Sequence, residues 1–138
     1  ANPENERRRL VAELEREAFL ASLQPDVVHV HSMFEGYGDD AVVSIGRFDD
    51  RTPVSVTLHD LIPLLYPSQY LDPNPGFARY YANKIEHFKK ASLFLSISES
   101  SGREATNHLG IDPSSVCNTS EAAEDRFREV DIPRKQAR

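Results

Sequence analysis

The sequence predicts an α/β domain: a mostly parallel sheet of about four strands, with helices on both faces making three layers. Two observations carry that reading. Four short runs, at residues 27–31, 54–58, 93–97 and, more weakly, 114–118, read as strands, and the first, VVHVH, has almost no polar alternation, as expected of a strand covered on both sides. Segments with apolar residues at helical spacing lie between them, and strands alternating with helices call for right-handed crossovers in one sheet. The chain has 138 residues, 39% of them hydrophobic, so it fills one domain or part of a larger one.

Residues 2–23 open as a helix. Asn2 caps, Pro3 suits the first helical position, Glu4 and Glu6 complement the helix dipole, and Leu10, Leu14, Ala18 and Ala21 form the stripe expected to pack. Pro25 and Asp26 stop it before the strand VVHVH. Residues 32–38 read as a loop, 39–46 as a short helix and 47–53 as a charged connection into the strand 54–58. The segment LIPLLYPSQYLDPNPGF reads as a long proline-restrained loop, and such loops are usually functional. A helix over residues 76–91, the strand 93–97, a helix from Ser98 to a left-handed cap at Gly110 and a weaker strand at 114–118 complete the order. The expected division is a partial domain over residues 1–127 and a polar tail or interdomain linker over 128–138.

Charge and cysteine content exclude several classes. A net charge of -6 argues against a surface that neutralises nucleic-acid phosphates. One cysteine, Cys117, closes no internal disulfide, and no apolar stretch approaches the length of a membrane span, so a cytoplasmic setting is expected. No cofactor is expected. The three-glycine dinucleotide fingerprint is absent, as is the glycine-flanked serine of a nucleophile elbow.

Ligands of open parallel sheets bind outside the carboxyl ends of the strands. After the first strand come His31 and the loop HSMFEGYG, whose Gly36 and Gly38 allow close backbone approach; Asp39 and Asp40 make it suit hydroxyls better than phosphates. After the second come His59 and Asp60. His59 at that edge can donate to a ligand oxygen while a carboxylate or carbonyl fixes its tautomer. Tyr66 and Tyr70 offer flat faces to a sugar or lipid, or else anchor the loop to its own domain. Ser98 and Glu99 follow the third strand, where helix capping and a place in the crevice are compatible, and Ser101 with Glu104 has the spacing of a capping box. His29 and His31 share a strand face without a carboxylate or thiol set at ligand spacing, so no metal is expected: His29 reads as a hydrogen-bonded core residue, Cys117 as a small core hydrophobe, and His87 and His108 as surface residues.

Taken together, PDVVHVHS from Pro25, VTLHDLIPLLYP from Val56, FKKAS before LFLSISESSGREA from Leu93, and HLGIDPSSVCNTSEAAEDRF from His108 resemble the amino-terminal domain of family-4 glycosyltransferases across most of residues 10–127. The resemblance implies a GT-B enzyme: two Rossmann-like domains face each other across a cleft and transfer a hexose, such as mannose from GDP-mannose, with retention and without a metal. The first domain receives the saccharide or glycolipid acceptor, and the second holds the nucleotide. It places His59 against the donor sugar or its leaving phosphate, and Ser98 and Glu99 in the crevice. The opening strand with its glycine-rich loop and the donor-binding domain are not in this sequence, so the Rossmann-like sheet is expected to be incomplete and the chain inactive by itself. Two copies are expected to pair through an exposed sheet edge, and the complete enzyme to work in polysaccharide biosynthesis, peripherally at the inner face of the membrane. The alternative is a non-catalytic Rossmann-like binding or interaction module.

Overall fold

A computed structural model describes residues 3–39 and 41–122. The elements follow in the order α1 (Pro3–Ser22), β1 (Val28–Val30), β2 (Val54–Leu58), α2 (Ile62–Leu65), α3 (Pro67–Tyr70), α4 (Pro75–Phe88), β3 (Leu93–Ser96), α5 (Glu99–Leu109), a short 3-10 turn (Pro113–Ser115) and β4 (Val116–Asn118). The four strands are all parallel and stand side by side in chain order, β1-β2-β3-β4, with Val30 opposite Val56, Val56 opposite Phe94 and Phe94 opposite Val116.

That register sorts the side chains. Val30, Val56, Leu58 and Phe94 point to one face and are buried with Ile85 and Phe88 of α4 and Ala105 of α5. Leu20 of α1 lies beside Val28, Val30 and Val54 on the same side. The other face carries His29, Ser55, Thr57, Leu93, Leu95 and Cys117; none of them belongs to the core, and His29, Leu93 and Cys117 are exposed. The Rossmann-like α/β fold with a parallel sheet of four strands is as expected, and the described core gathers on the Val30–Phe94 face. Two smaller expectations fail. His29 is hydrogen-bonded, to Ser55 Oγ at 2.9 Å and Thr57 Oγ1 at 3.1 Å, but it is exposed rather than core, and Cys117 is exposed too.

Local chemistry sets the element ends. Asn74 caps α4 by accepting from the Phe77 N–H, and Pro75 occupies its first turn. Ser98 and Ser101 form a reciprocal capping box on α5, and Gly110 ends that helix at φ 69°. Glu104 is not the box partner; its carboxylate accepts instead from the Leu61 N–H at 3.1 Å. The segment expected as one long loop contains the single-turn helices α2 and α3, each with proline in its first turn. The 128–138 tail lies outside the described residues.

The helix expected over 39–46 is absent among the described residues, because buried side chains replace its backbone bonds. Glu17 accepts from the Ser44 hydroxyl and from the N–H groups of Arg47 at 2.7 Å, Phe48 at 2.6 Å and Asp49 at 3.3 Å. Lys84 donates to the Val43 carbonyl, and His87 Nδ1 stands 2.9 Å from the Ile45 oxygen. Glu13 is fully buried between Arg47 at 2.9 Å and Lys84 at 3.6 Å. The face of α1 turned inward thus centres on Glu13 and Glu17, while Leu10 of the expected stripe is left exposed. His87, expected on the surface, is buried too.

Burial works against ionisation of Glu17, yet the Ser44 hydroxyl and the Phe48, Asp49 and Arg47 N–H groups outweigh it and hold its pKa below 4.5. Burial pushes His87 below 6.5, against the opposing bond to Ile45. In both cases the unfolded chain binds protons more readily, so stability is complete above the unfolded pKa and falls with acidification. Urea unfolding across pH is expected to show stability declining first below about 6.5, through His87, and again below about 4.5, through Glu17. In His87→Asn the first decline should disappear; a decline of the same size in that variant would refute the assignment.

Candidate functional site

The carboxyl ends of β1 and β2 bring two histidines together. His31 follows Val30 and His59 follows Leu58, and their rings meet edge to face with centroids 5.2 Å apart. His29, one strand repeat back, is 6.5 Å from His31. The alternation that turns His29 and Thr57 toward the uncovered face turns His31 and His59 that way too. Backbone pairing carries on past the strands, from Ile97 N to the Leu58 oxygen at 3.2 Å and from Thr119 N to the Ser96 oxygen at 2.9 Å, so the three strand ends stay level. The chain leaving β4 then sets the Glu121 carboxylate 3.7 Å from His59 Nδ1. Sequence reasoning missed Glu121, although its place just beyond a strand end was the available signal.

His59 is positioned from behind. Leu61 is fully buried, and its N–H is held by Glu104 of α5, which fixes the direction of the chain immediately after the histidine. Asp60 does not touch His59; its carboxylate accepts from the Ile62 N–H at 2.9 Å and shapes the turn into α2. Ser98 stands at the third strand end, but its hydroxyl is engaged with Ser101 in the α5 cap, and Glu99 is exposed beside Arg103 at 3.4 Å. Tyr66 sits between α2 and α3 with its side chain exposed. The structure thus gathers His31, His59 and Glu121 at one point, leaves Asp60 and Ser98 organising the backbone around it, and pairs Glu99 with Arg103 at the surface.

The two glycines of the 32–38 loop differ. Gly36 has φ 103°, and a Cβ there would overlap the Ala41 carbonyl oxygen and meet the Tyr80 hydroxyl at 3.1 Å. Gly38 has ordinary dihedrals and open space around its Cα, so it carries none of the conformational demand expected of it. Among the described residues no group of three or more His, Cys, Asp or Glu is placed to hold a metal ion, and no helix is long and apolar enough to cross a membrane.

An α/β sheet with polar, histidine-bearing strand ends defines a class of proteins that bind a ligand across the carboxyl edge of the sheet. Residues 2–118 match Glycosyltransferase Family 4, and the chain belongs to that family. It is 36% identical over 130 residues to a "Serotype-specific mannosyltransferase WbdA" of Escherichia coli, covering 94% of this chain and 16% of that protein. A second Escherichia coli protein of the same description is 35% identical over 128 residues, covering 93% of this chain and 16% of its own length. The chain spans about one sixth of the length of these relatives. No solved structure matches it significantly.

Gly36→Ala is expected to destabilise the protein by more than about 1 kcal/mol, because both the dihedral and the Ala41 contact oppose a Cβ. Gly38→Ala should stay within about 0.5 kcal/mol of the parent. Equal effects in urea unfolding would show that the loop is not held as described.

Proposed function

We propose that this chain is the acceptor-side part of a retaining glycosyltransferase that moves a hexose, mannose in the first instance, from a nucleotide donor such as GDP-mannose to a saccharide or glycolipid acceptor in polysaccharide assembly. The observation that carries this reading is His59, half-buried at the carboxyl end of β2 and flanked by His31 and Glu121. A carboxylate beside Nδ1 orients the ring so that, when both nitrogens carry a proton, the Nε2–H donates to a ligand oxygen. At the sugar-phosphate junction such a group stabilises the charge that develops as the bond to phosphate breaks. Family membership supports glycosyl transfer, and the printed name of the relatives supports mannose.

The described strand ends supply histidine, serine and carboxylate side chains but no cluster of Arg or Lys for a diphosphate, so the nucleotide would be held by a second domain and the isolated chain would be inactive. Neutralisation by that domain's cations would replace a metal. Retention of configuration follows from resemblance to the family. A glycolipid acceptor would bring the complete enzyme to the cytoplasmic face of the membrane, and the edge of β1, which pairs only with β2 among the described residues, offers the route by which two copies would pair.

The complete protein, given labelled GDP-mannose and a mannose oligosaccharide, is expected to form the extended saccharide. In His59→Ala turnover should fall by about 100-fold or more, with thermal unfolding unchanged. Turnover within about threefold of the parent would remove His59 from the mechanism. No transfer from any nucleotide sugar by the parent would favour a non-catalytic binding module.

A further inference from the structure

Beyond the histidines, the same edge of the sheet carries a second concavity, between the first halves of α1 and α4. A helix that feeds a parallel strand runs antiparallel to it, so the opening turns of α1 before β1, and of α4 before β3, both lie over the strands' carboxyl ends. Contacts agree with that placement. The Arg9 guanidinium lies over the Tyr80 ring, 5.7 Å from its centroid, and the Tyr80 hydroxyl donates to the Glu35 carbonyl in the loop that follows His31. The groove between them measures about 870 Å³, toward the upper end of the roughly 300–1,000 Å³ seen for ligand clefts.

Its lining is a built surface. Tyr37 is 47% exposed yet held on three sides: its ring meets Phe77 at 5.1 Å and Tyr80 at 5.4 Å between centroids, and its hydroxyl donates to Asn74 Oδ1 at 3.1 Å. Gly76 makes room for it, since a Cβ there would stand 3.1 Å from the Tyr37 hydroxyl. A flat aromatic face fixed in advance loses little entropy when a ligand covers it. Around it stand Arg8 and Arg79, both exposed and without an ion pair among the described residues, together with Asn83, Glu6 and Asp39.

We propose that this groove is a chain-holding subsite for a neutral saccharide, binding sugar rings of the acceptor away from the hydroxyl that reacts; the proposal rests on the glycosyltransferase reading above. Arg8, Arg9 and Arg79 share the lining with Glu6 and Asp39, so a ligand of either sign alone would meet like charge. Guanidinium forks, an amide and carboxylates together match neighbouring hydroxyls, which both donate and accept, while the Tyr37 face takes the apolar C–H side of a ring. The volume admits more than one ring, so affinity should grow with acceptor length.

The test is acceptor KM against length in the complete protein, with mannose oligosaccharides of increasing size and GDP-mannose as donor. In the parent, KM should fall by about tenfold from the shortest to the longest acceptor, about 1.4 kcal/mol. In Tyr37→Ala and Arg79→Ala the ratio should collapse to near one, whereas Phe48→Ser, an exposed position outside the groove, should keep it. A length dependence that survives both groove variants overturns the inference while the transferase reading stands. If the parent transfers nothing, calorimetric titration with the longest oligosaccharide separates the two ideas: binding lost in Tyr37→Ala and Arg79→Ala keeps the saccharide groove without the transferase, and no binding by the parent overturns the groove.

Discussion

Four parallel strands laid down in chain order, joined by right-handed connections, leave the described helices one face on which to pack. Much else in the molecule follows from that constraint. The core forms on the Val30, Val56 and Phe94 side, the opposite face mixes polar and apolar side chains outside that core, and every strand ends at the same edge. The helices that feed β1 and β3 begin at that edge, so the histidine cluster and the α1–α4 groove share it although they are built from different residues.

A one-sided core needs its outer helix attached by other means, because β1 is an edge strand and Leu10, Val11 and Phe19 of α1 remain exposed. Glu13 and Glu17 supply the attachment. Hydrogen bonds to a charged acceptor contribute about 1.5–3 kcal/mol each, and Glu17 collects four. Its carboxylate organises the 44–49 backbone, Lys84 and His87 bind the 43–45 backbone from α4, and the loop between them is thereby fixed without being a helix. Burying that much charge is costly, and the arrangement is stable only while the partners stay in the required protonation states.

Strong local signals were legible in the sequence. The Ser98 cap and the Gly110 stop bound α5, Asn74-Pro75 starts α4, and the apolar runs VSVTL and LFLS are the central strands. The strand-end positions of His31 and His59 were legible because local pattern marks where β1 and β2 stop. What escaped depended on distant partners. His87 reads as a surface residue and Glu13 and Glu17 lie outside the apolar stripe of α1, because charge on a helix is normally wet; only the loop crossing above them explains their burial. The run VVHVH suggests cover on both sides, yet nothing local reveals that later strands are all added on the same side. Tyr37 gives no signal of its own in the sequence, because the rings that hold it, Phe77 and Tyr80, lie some 40 positions away.

The proposed sugar transfer puts the ligand across the carboxyl edge, where the paired histidines and the polar groove lie. Hydrogen–deuterium exchange of the complete protein, with and without GDP-mannose and a mannose oligosaccharide, tests that placement most directly. Slowed exchange is expected at residues 31–38 and 59–66, with the turns at the opposite edge, residues 50–53 and 89–92, unchanged. Protection confined to those amino-end turns, with none around His31 and His59, would contradict the account.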